Sequence, residues 1–431
     1  MKNKEENSQG RNWASIYILG TVSLFNDMAS EMIYPLIPVF IKSVLGLGAS
    51  FIGIIEGVAE SANSILKLFS GWISDKAKKR KIFILAGYGL SNIMRPLIGI
   101  ATSWGFLLGF RFADRVGKGI RSSPRDAMIC DLAPEDRRGY AFGFQRAMDH
   151  SGAVVGPLIA GFLMSVLLLD IRKVFLLSYI PGIIAILLIL FGVKETKNSK
   201  IGQTACMAQI SEKLKAPLQT EEVKGKEPLL NVRDFKKLGG RFNYFLIILI
   251  IFALGNSTDA FLLLRASDLG IKTAHIPILW ASLHASKVLF SLIGGHFSDK
   301  AGRKILIFAG WAVYFLTYFG FAFADKSWQI WALFLFYGLF FGLTEGAEKA
   351  LVGDMAAKEL RGLAYGFYNL ALGISALPAS LIFGFVWKAA GFKVAFIIGS
   401  SLALIAAIML LFLKAPKIKG NTCFKKNDSV A

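Results

Sequence analysis

The chain has 431 residues, of which 54% are hydrophobic and 18% charged, with a formal net charge of +20 and a mean hydropathy of +0.54. Soluble domains carry about 25% charged residues; here apolar runs of about 20 residues recur, the length that crosses ~30 Å of hydrocarbon as a helix, so a soluble globular fold is excluded. The ten-residue alternating segments of a membrane barrel are missing, and the positive excess sits in hydrophilic segments beside the apolar runs, where it encodes membrane orientation rather than nucleic-acid contact.

Twelve candidate spans follow in order, at roughly 14–45, 50–72, 82–101, 104–128, 138–167, 173–193, 242–265, 275–297, 304–324, 328–352, 362–388 and 393–413. The polar stretch before the first span leads into a run that contains Asn26, Asp27 and Glu31 and has no small-residue cleavage site. It reads as a retained span rather than a signal peptide. The connection after the second span, DKAKKRK at 75–81, is dense in positive charge, as are 115–138, 299–304 and the tail 414–426. The alternate loops at 46–50 and 101–105 carry almost none, so both termini are expected in the cytoplasm of a cell whose inner membrane holds the protein. One connection is long: 194–240 is rich in Lys, Glu, Gln and Asn and has no apolar period, which reads as a flexible cytoplasmic linker. The expected architecture is an all-α membrane protein of twelve transmembrane helices, with an N-terminal six-helix bundle at 1–193, the linker at 194–240, and a C-terminal six-helix bundle at 241–431. Cys130, Cys206 and Cys423 all fall on the cytoplasmic side and show no ligand spacing, so neither a disulfide, a metal site nor a cofactor is expected.

The fourth span carries Arg111, Arg115, Lys118, Arg121 and Arg125, spaced four, three, three and four. That spacing places all five on one helical face. Each such charge costs roughly 2.5–3.5 kcal/mol at the bilayer centre on the mildest scale, so the stripe must face an aqueous cavity or buried carboxylates. Arg111, Arg115 and Lys118 lie deepest and, with Arg146 and Lys287, are the candidate solute ligands. Arg121 and Arg125 lie nearer the cytoplasm, where Ser122, Ser123 and Pro124 are expected to break the helix. Asp27 and Glu31, and Glu56 and Glu60, stand four apart and so share helix faces. With Asp149 they are the candidate proton carriers, because a buried carboxylate without a cationic partner takes up protons readily. Their competing role is to neutralise the stripe.

The halves repeat. GWISDKAKKRKIFILAGY (71–88) matches GHFSDKAGRKILIFAGW (295–311), and DLAPEDRRGYAFGFQRA (131–147) matches DMAAKELRGLAYGFYNL (354–370). A sixfold unit used twice predicts a pseudo-twofold axis along the membrane normal, with a binding site between the halves near the midplane.

On these residues the chain resembles the major facilitator superfamily over essentially its whole length. The family's signature G-x-x-x-D-[RK]-x-G-[RK]-[RK] appears at Gly71, Asp75, Lys76, Lys79 and Arg80, with Lys78 where glycine is usual, and again at Gly295, Asp299, Lys300, Gly302, Arg303 and Lys304. The acid followed seven residues later by arginine appears as Asp131–Arg138 and Asp354–Arg361. The resemblance implies that these form cytoplasmic charge networks that gate the outward-open state. It also implies that spans three, six, nine and twelve face lipid; Asn92 and Arg95 in span three depart from that. Gly152, Gly156, Pro157 and Gly161 look like the family's antiporter motif, with Ala160 in place of one glycine, and their spacing alone favours close helix packing. Arg115-x-x-Lys118-Gly119 is similar to the family's fourth-span motif associated with proton coupling.

The function expected is secondary active transport by alternating access, coupled to protons, by a monomer in the lipid bilayer. The solute is an anionic or zwitterionic small organic molecule, such as a polycarboxylate, a phosphate ester or a carboxylate siderophore, because arginine's forked donors match those groups. The alternative is a proton-driven multidrug efflux antiporter. A non-transporting membrane sensor lacks a signalling domain. An enzyme lacks a nucleophile–base pair or a Walker-type loop, so neither catalysis nor ATP is expected.

Overall fold

A computed structural model describes residues 2–77, 79–134, 137–193, 195, 238–356 and 360–413. The side chains of residues 2–12, 68, 71, 72, 75, 76, 138, 139, 291–301 and 361–363 lie outside the description, as does nearly all of the 194–240 linker. The described residues are helical almost throughout, in the order that the apolar runs set. Helix α1 (Lys2–Ile33) continues through a 3₁₀ turn at Tyr34–Leu36 and a π turn at Phe40–Val44. Pro35 and Pro38 lack the N–H that a regular ladder needs, which accounts for the irregular winding there. Then come α2 (Ala49–Ala77), α3 (Arg80–Leu97), α4 (Trp104–Leu132), α5 (Arg138–Ser165), α6 (Ile171–Leu177 and Tyr179–Gly192), α7 (Gly240–Gly255 and Ala260–Asp268), α8 (Ile276–Ala301), α9 (Arg303–Phe323) and α10 (Ser327–Met355). Helices α11 (361–390) and α12 (392–412) meet at Gly391, whose φ of 87° breaks the run Arg361–Phe412.

Two sequence expectations are corrected. Helix α4 does not break at Ser122–Pro124 but runs on to Leu132. Ser122 Oγ donates to the Lys118 carbonyl at 2.6 Å, and Ser123 Oγ ties the helix to the Lys67 carbonyl of α2 at 2.7 Å; a proline within a membrane helix is tolerated where neighbouring helices pack against it. Span seven, expected to be continuous, is interrupted between Gly255 and Ala260.

Large apolar side chains point outward on α3 (Ile93, 57% exposed), α6 (Phe191, 82%), α9 (Phe323, 55%) and α12 (Phe412, 75%), and also on α4, α5, α8, α10 and α11 at Phe106, Phe162, Leu289, Trp328 and Ile374, a surface that hydrocarbon would cover. Helix α4 packs between α2 and α3, and α1 against α5. The duplicated unit recurs in its bonding: Arg80 pairs with Asp131 as Arg303 does with Asp354. Lys81 Nζ caps the Leu190 carbonyl at 3.0 Å, and Lys304 Nζ the Leu413 carbonyl at 2.8 Å.

The two sets of helices meet along α2–α11 and α5–α8. Glycines make the first seam close: a Cβ on Gly53 would collide with the Ser380 carbonyl, and one on Gly384 would lie 2.9 Å from the Ala49 carbonyl. Lys42 also pairs with Asp268 across the halves at this end. Gly53→Val is therefore expected to hold this end apart. Labelling of a cysteine placed at Ser50 by a membrane-impermeant maleimide should rise severalfold over the Gly53 parent; unchanged labelling would mean that the seam closes without the glycine.

Candidate functional site

Beneath the cation stripe lies a buried network. Arg111 forks onto Glu56 of α2, with Nε to Oε1 at 2.7 Å and Nη2 to Oε2 at 2.9 Å, and donates from Nη1 to Asp114 Oδ2 at 3.1 Å. The other Asp114 oxygen accepts Arg95 Nε at 2.9 Å, and Arg95 Nη1 reaches the Asn26 carbonyl, Asn26 Oδ1 and Asn92 Oδ1 at 2.9–3.0 Å. Arg95, Arg111, Asp114 and Glu56 are each no more than 3% exposed. Two cations meet two carboxylates, and charge-assisted bonds reach each of the four carboxylate oxygens. The network ties α1, α2, α3 and α4 together and engages every nitrogen of Arg111 and both oxygens of Glu56.

Beside it opens a cavity of about 810 Å³. Its charged wall comes from α1, α2, α4 and α5: the acids Asp27, Glu31, Glu60, Asp126 and Asp149, and the bases Lys67, Lys118, Arg121, Arg125 and Arg146. The facing wall, from α7, α8 and α11, offers Ala253, Asn256, His284, Asn369, Leu372 and Ala376. Arg125 is engaged by Asp126 at 3.0 Å and lies 3.8 Å from Asp149. Arg121 donates to Ser91 Oγ at 2.9 Å and covers the Tyr88 ring at 4.4 Å. Lys67, Lys118, Arg121 and Arg146 make no ion pair with a described carboxylate. On the acid side, the Asp27 carboxylate accepts Asn26 Nδ2 at 2.9 Å and no other bond from a described residue. Glu31 accepts Trp280 Nε1 of α8 at 2.8 Å, with His284 Nε2 at 3.9 Å. Asp149 accepts Gln145 Nε2 at 2.5 Å. The unpaired charges of the wall thus lean positive.

Arg115 approaches Glu60 at 3.6 Å, with its Nε buried and without a hydrogen bond, behind the cavity wall. Lys287 does not line the cavity; its Nζ sits 3.5 Å from the Phe341 ring centre and 5.5 Å from that of Trp280, a cation held by aromatic faces. Gly152 and Gly156 press against the α1 backbone at Leu24 and Met28, whereas Gly161 meets Ile278 of α8, 2.8 Å from a Cβ built there. Pro157 sits within an unbroken α5. Of the gate set, Arg80, Asp131, Arg303 and Asp354 form the two pairs above. Gly71, Asp75, Arg138, Gly295, Asp299 and Arg361 have side chains outside the described residues.

Sequence reasoning missed Arg95 as the second cation of the network. The signal was there: an arginine and an asparagine one turn apart in a span expected to face lipid. Trp280, which bonds Glu31 across the halves, carried no signal, because an apolar span hides an indole donor among ordinary core aromatics.

The sequence profile of the Major Facilitator Superfamily matches residues 19–283 and 242–427. An uncharacterized MFS-type transporter of Methanocaldococcus jannaschii is 33% identical over 405 residues, 93% of this chain and 94% of that protein. A multi-drug resistance efflux pump homologue of Lactococcus lactis is 24% identical over 94% of this chain and 96% of its own. Among solved structures, a D-xylose-proton symporter superposes with a TM-score of 0.72 at 17% identity, over 95% of this chain and 99% of that one. A bacterial homologue of the human lysosomal transporter Spinster, inward-facing and unoccupied, gives 0.71 at 16% identity over 94% and 97%.

Proposed function

The chain belongs to the major facilitator superfamily, a multi-pass membrane transporter, and from that premise we propose that it carries an anionic or zwitterionic small organic solute, coupled to protons, by alternating access. The observation that supports this reading is the group Lys67, Lys118, Arg121 and Arg146, which face one cavity without described carboxylate partners. A polycarboxylate, a phosphate ester or a carboxylate siderophore would supply the missing counter-charge. Glu56 is committed to Arg111, so protons fall to Asp27, Glu31, Glu60 and Asp149. On this reading the protein is a monomer of the inner membrane with both termini in the cytoplasm. The cavity lies at the end carrying the basic α2–α3 connection and so faces inward, and the Arg80–Asp131 and Arg303–Asp354 pairs act within the cytoplasmic gate. Its basic charge serves topology and recruits no nucleic acid.

A second reading, proton-driven efflux of lipophilic drugs, draws on the uncharged α7–α8–α11 wall and on the efflux homologue in Lactococcus lactis. Purified protein in liposomes with an imposed pH gradient separates the two. The first expects gradient-dependent accumulation of a radiolabelled tricarboxylate or sugar phosphate; movement of a fluorescent lipophilic cation alone would replace it with the second.

A further inference from the structure

The interruption of α7 brings together oxygen atoms that no part of the transport reading uses. Between Gly255 and Ala260 the backbone leaves the helix. Among the described residues, the carbonyls of Asn256 and Ser257 accept no hydrogen bond. Asp259 stands at the N-cap of the second segment, yet its side chain caps nothing. One of its carboxylate oxygens accepts Tyr337 Oη at 2.9 Å; the other accepts no bond from a described residue. Two buried hydroxyls cluster with it: Ser257 Oγ, in a residue 4% exposed, and Tyr318 Oη, in a residue fully buried; they lie near one another, yet neither makes a hydrogen bond of good geometry to a described residue. Tyr318 is held there by its stack on Tyr314 at 4.2 Å, and Tyr314 is anchored to the Gly255 carbonyl at 3.0 Å.

Buried hydroxyls and freed carbonyls without partners are costly. A single carboxylate among neutral oxygens is the donor set of a dehydrated monovalent cation. Divalent calcium sites recruit more carboxylates, and transition metals need the imidazole or thiolate that this place lacks. Unwound backbone between half-helices is where membrane carriers coordinate such ions. Lys287, the nearby cation on α8, is turned onto Phe341 and Trp280 and makes no ion pair with a described carboxylate. Asn256 lines the cavity and so gives the ion an aqueous approach. Thr258 shares a 3.3 Å hydrogen bond with Tyr34 of α1, which joins the loop to the opposite half.

We infer that the α7 break is a sodium site, formed by Asp259, Ser257 Oγ, Tyr318 Oη and the carbonyls of Asn256 and Ser257, and that its occupancy steadies the arrangement in which α1 and α7 are joined. The inference does not depend on which solute is carried or on whether protons drive it.

Thermal unfolding of the purified full chain in detergent, with sodium chloride replaced by choline chloride at constant ionic strength, reads the site without transport. Sodium is expected to raise Tm saturably by at least about 3 °C, and Asp259→Asn to abolish the rise. Ser257→Ala, which keeps the fold even if the aspartate variant does not, should raise the half-saturating sodium concentration about tenfold. Binding of radioactive sodium to the unmodified protein, displaced by excess unlabelled sodium and not by choline, gives a second readout. Equal Tm in the two salts, no displaceable sodium, or an unaltered half-saturation in Ser257→Ala would each overturn the site and leave the buried hydroxyls to ordered water.

Discussion

Arg111→Ala is expected to cost about 3–5 kcal/mol of stability, seen as a large fall in Tm and in monodisperse yield from detergent. The side chain is 3% exposed and fills both oxygens of Glu56 as well as one of Asp114. Its removal strands the Glu56 carboxylate in the protein interior with no replacement donor, whereas Asp114 keeps Arg95. The destabilisation belongs to the unpaired acid rather than to the lost bond. The double variant Arg111→Leu with Glu56→Leu removes both charges together, and apolar replacement of a buried pair is often neutral. It should therefore recover most of the stability. It should also retain transport within a fewfold, because neither residue reaches the cavity. A folded double variant that has lost transport would return Arg111 to the solute-binding role that its position on the stripe first predicted.

Lys118→Ala should show the opposite signature. Lys118 lines the cavity and has no described carboxylate within ion-pair distance; its longer-range attraction to Glu60 and Asp27 is opposed by burial and by the neighbouring Arg115 and Lys67, so Tm should hold or rise slightly. A charge-assisted contact to an anionic solute is worth about 1.5–3 kcal/mol, so its loss should weaken apparent solute affinity roughly 10- to 100-fold. Lys118→Arg keeps the charge and should recover part of the loss. The measurement is uptake against solute concentration in liposomes, beside a melting curve of the same preparation. Unchanged affinity would remove Lys118 from the binding site and weaken the anionic reading, since it is the deepest of the three cavity cations on α4.

These two residues stand on one helical face seven positions apart, and the sequence treats them alike. Periodicity places them on a face but says nothing of what stands opposite. Glu56 lies 55 positions from Arg111 in the chain, and Arg95 lies on a helix whose expected environment was lipid. Arg121 and Arg125 show the same limit from the other side. Ser122, Ser123 and Pro124 are local breakers by propensity, but α4, packed between α2 and α3 and tied to α2 by the Ser123 bond to the Lys67 carbonyl, runs on to Leu132, and both arginines reach the cavity wall. Likewise the Asn256–Asp259 interruption of α7 has no proline or glycine within it to mark it, and it is held open by tyrosines from α9 and α10.

The amino-acid sequence by itself determined the number and order of the membrane helices, the duplication of the six-helix unit and the family. It also required that a cationic stripe turn away from lipid. Each of these follows from hydrocarbon thickness, helical period and the cost of a bare charge, which act on a segment without regard to its neighbours. Only the tertiary structure decided which cations are neutralised inside the protein and which face the cavity, because pairing depends on distances of about 3 Å between side chains from different helices.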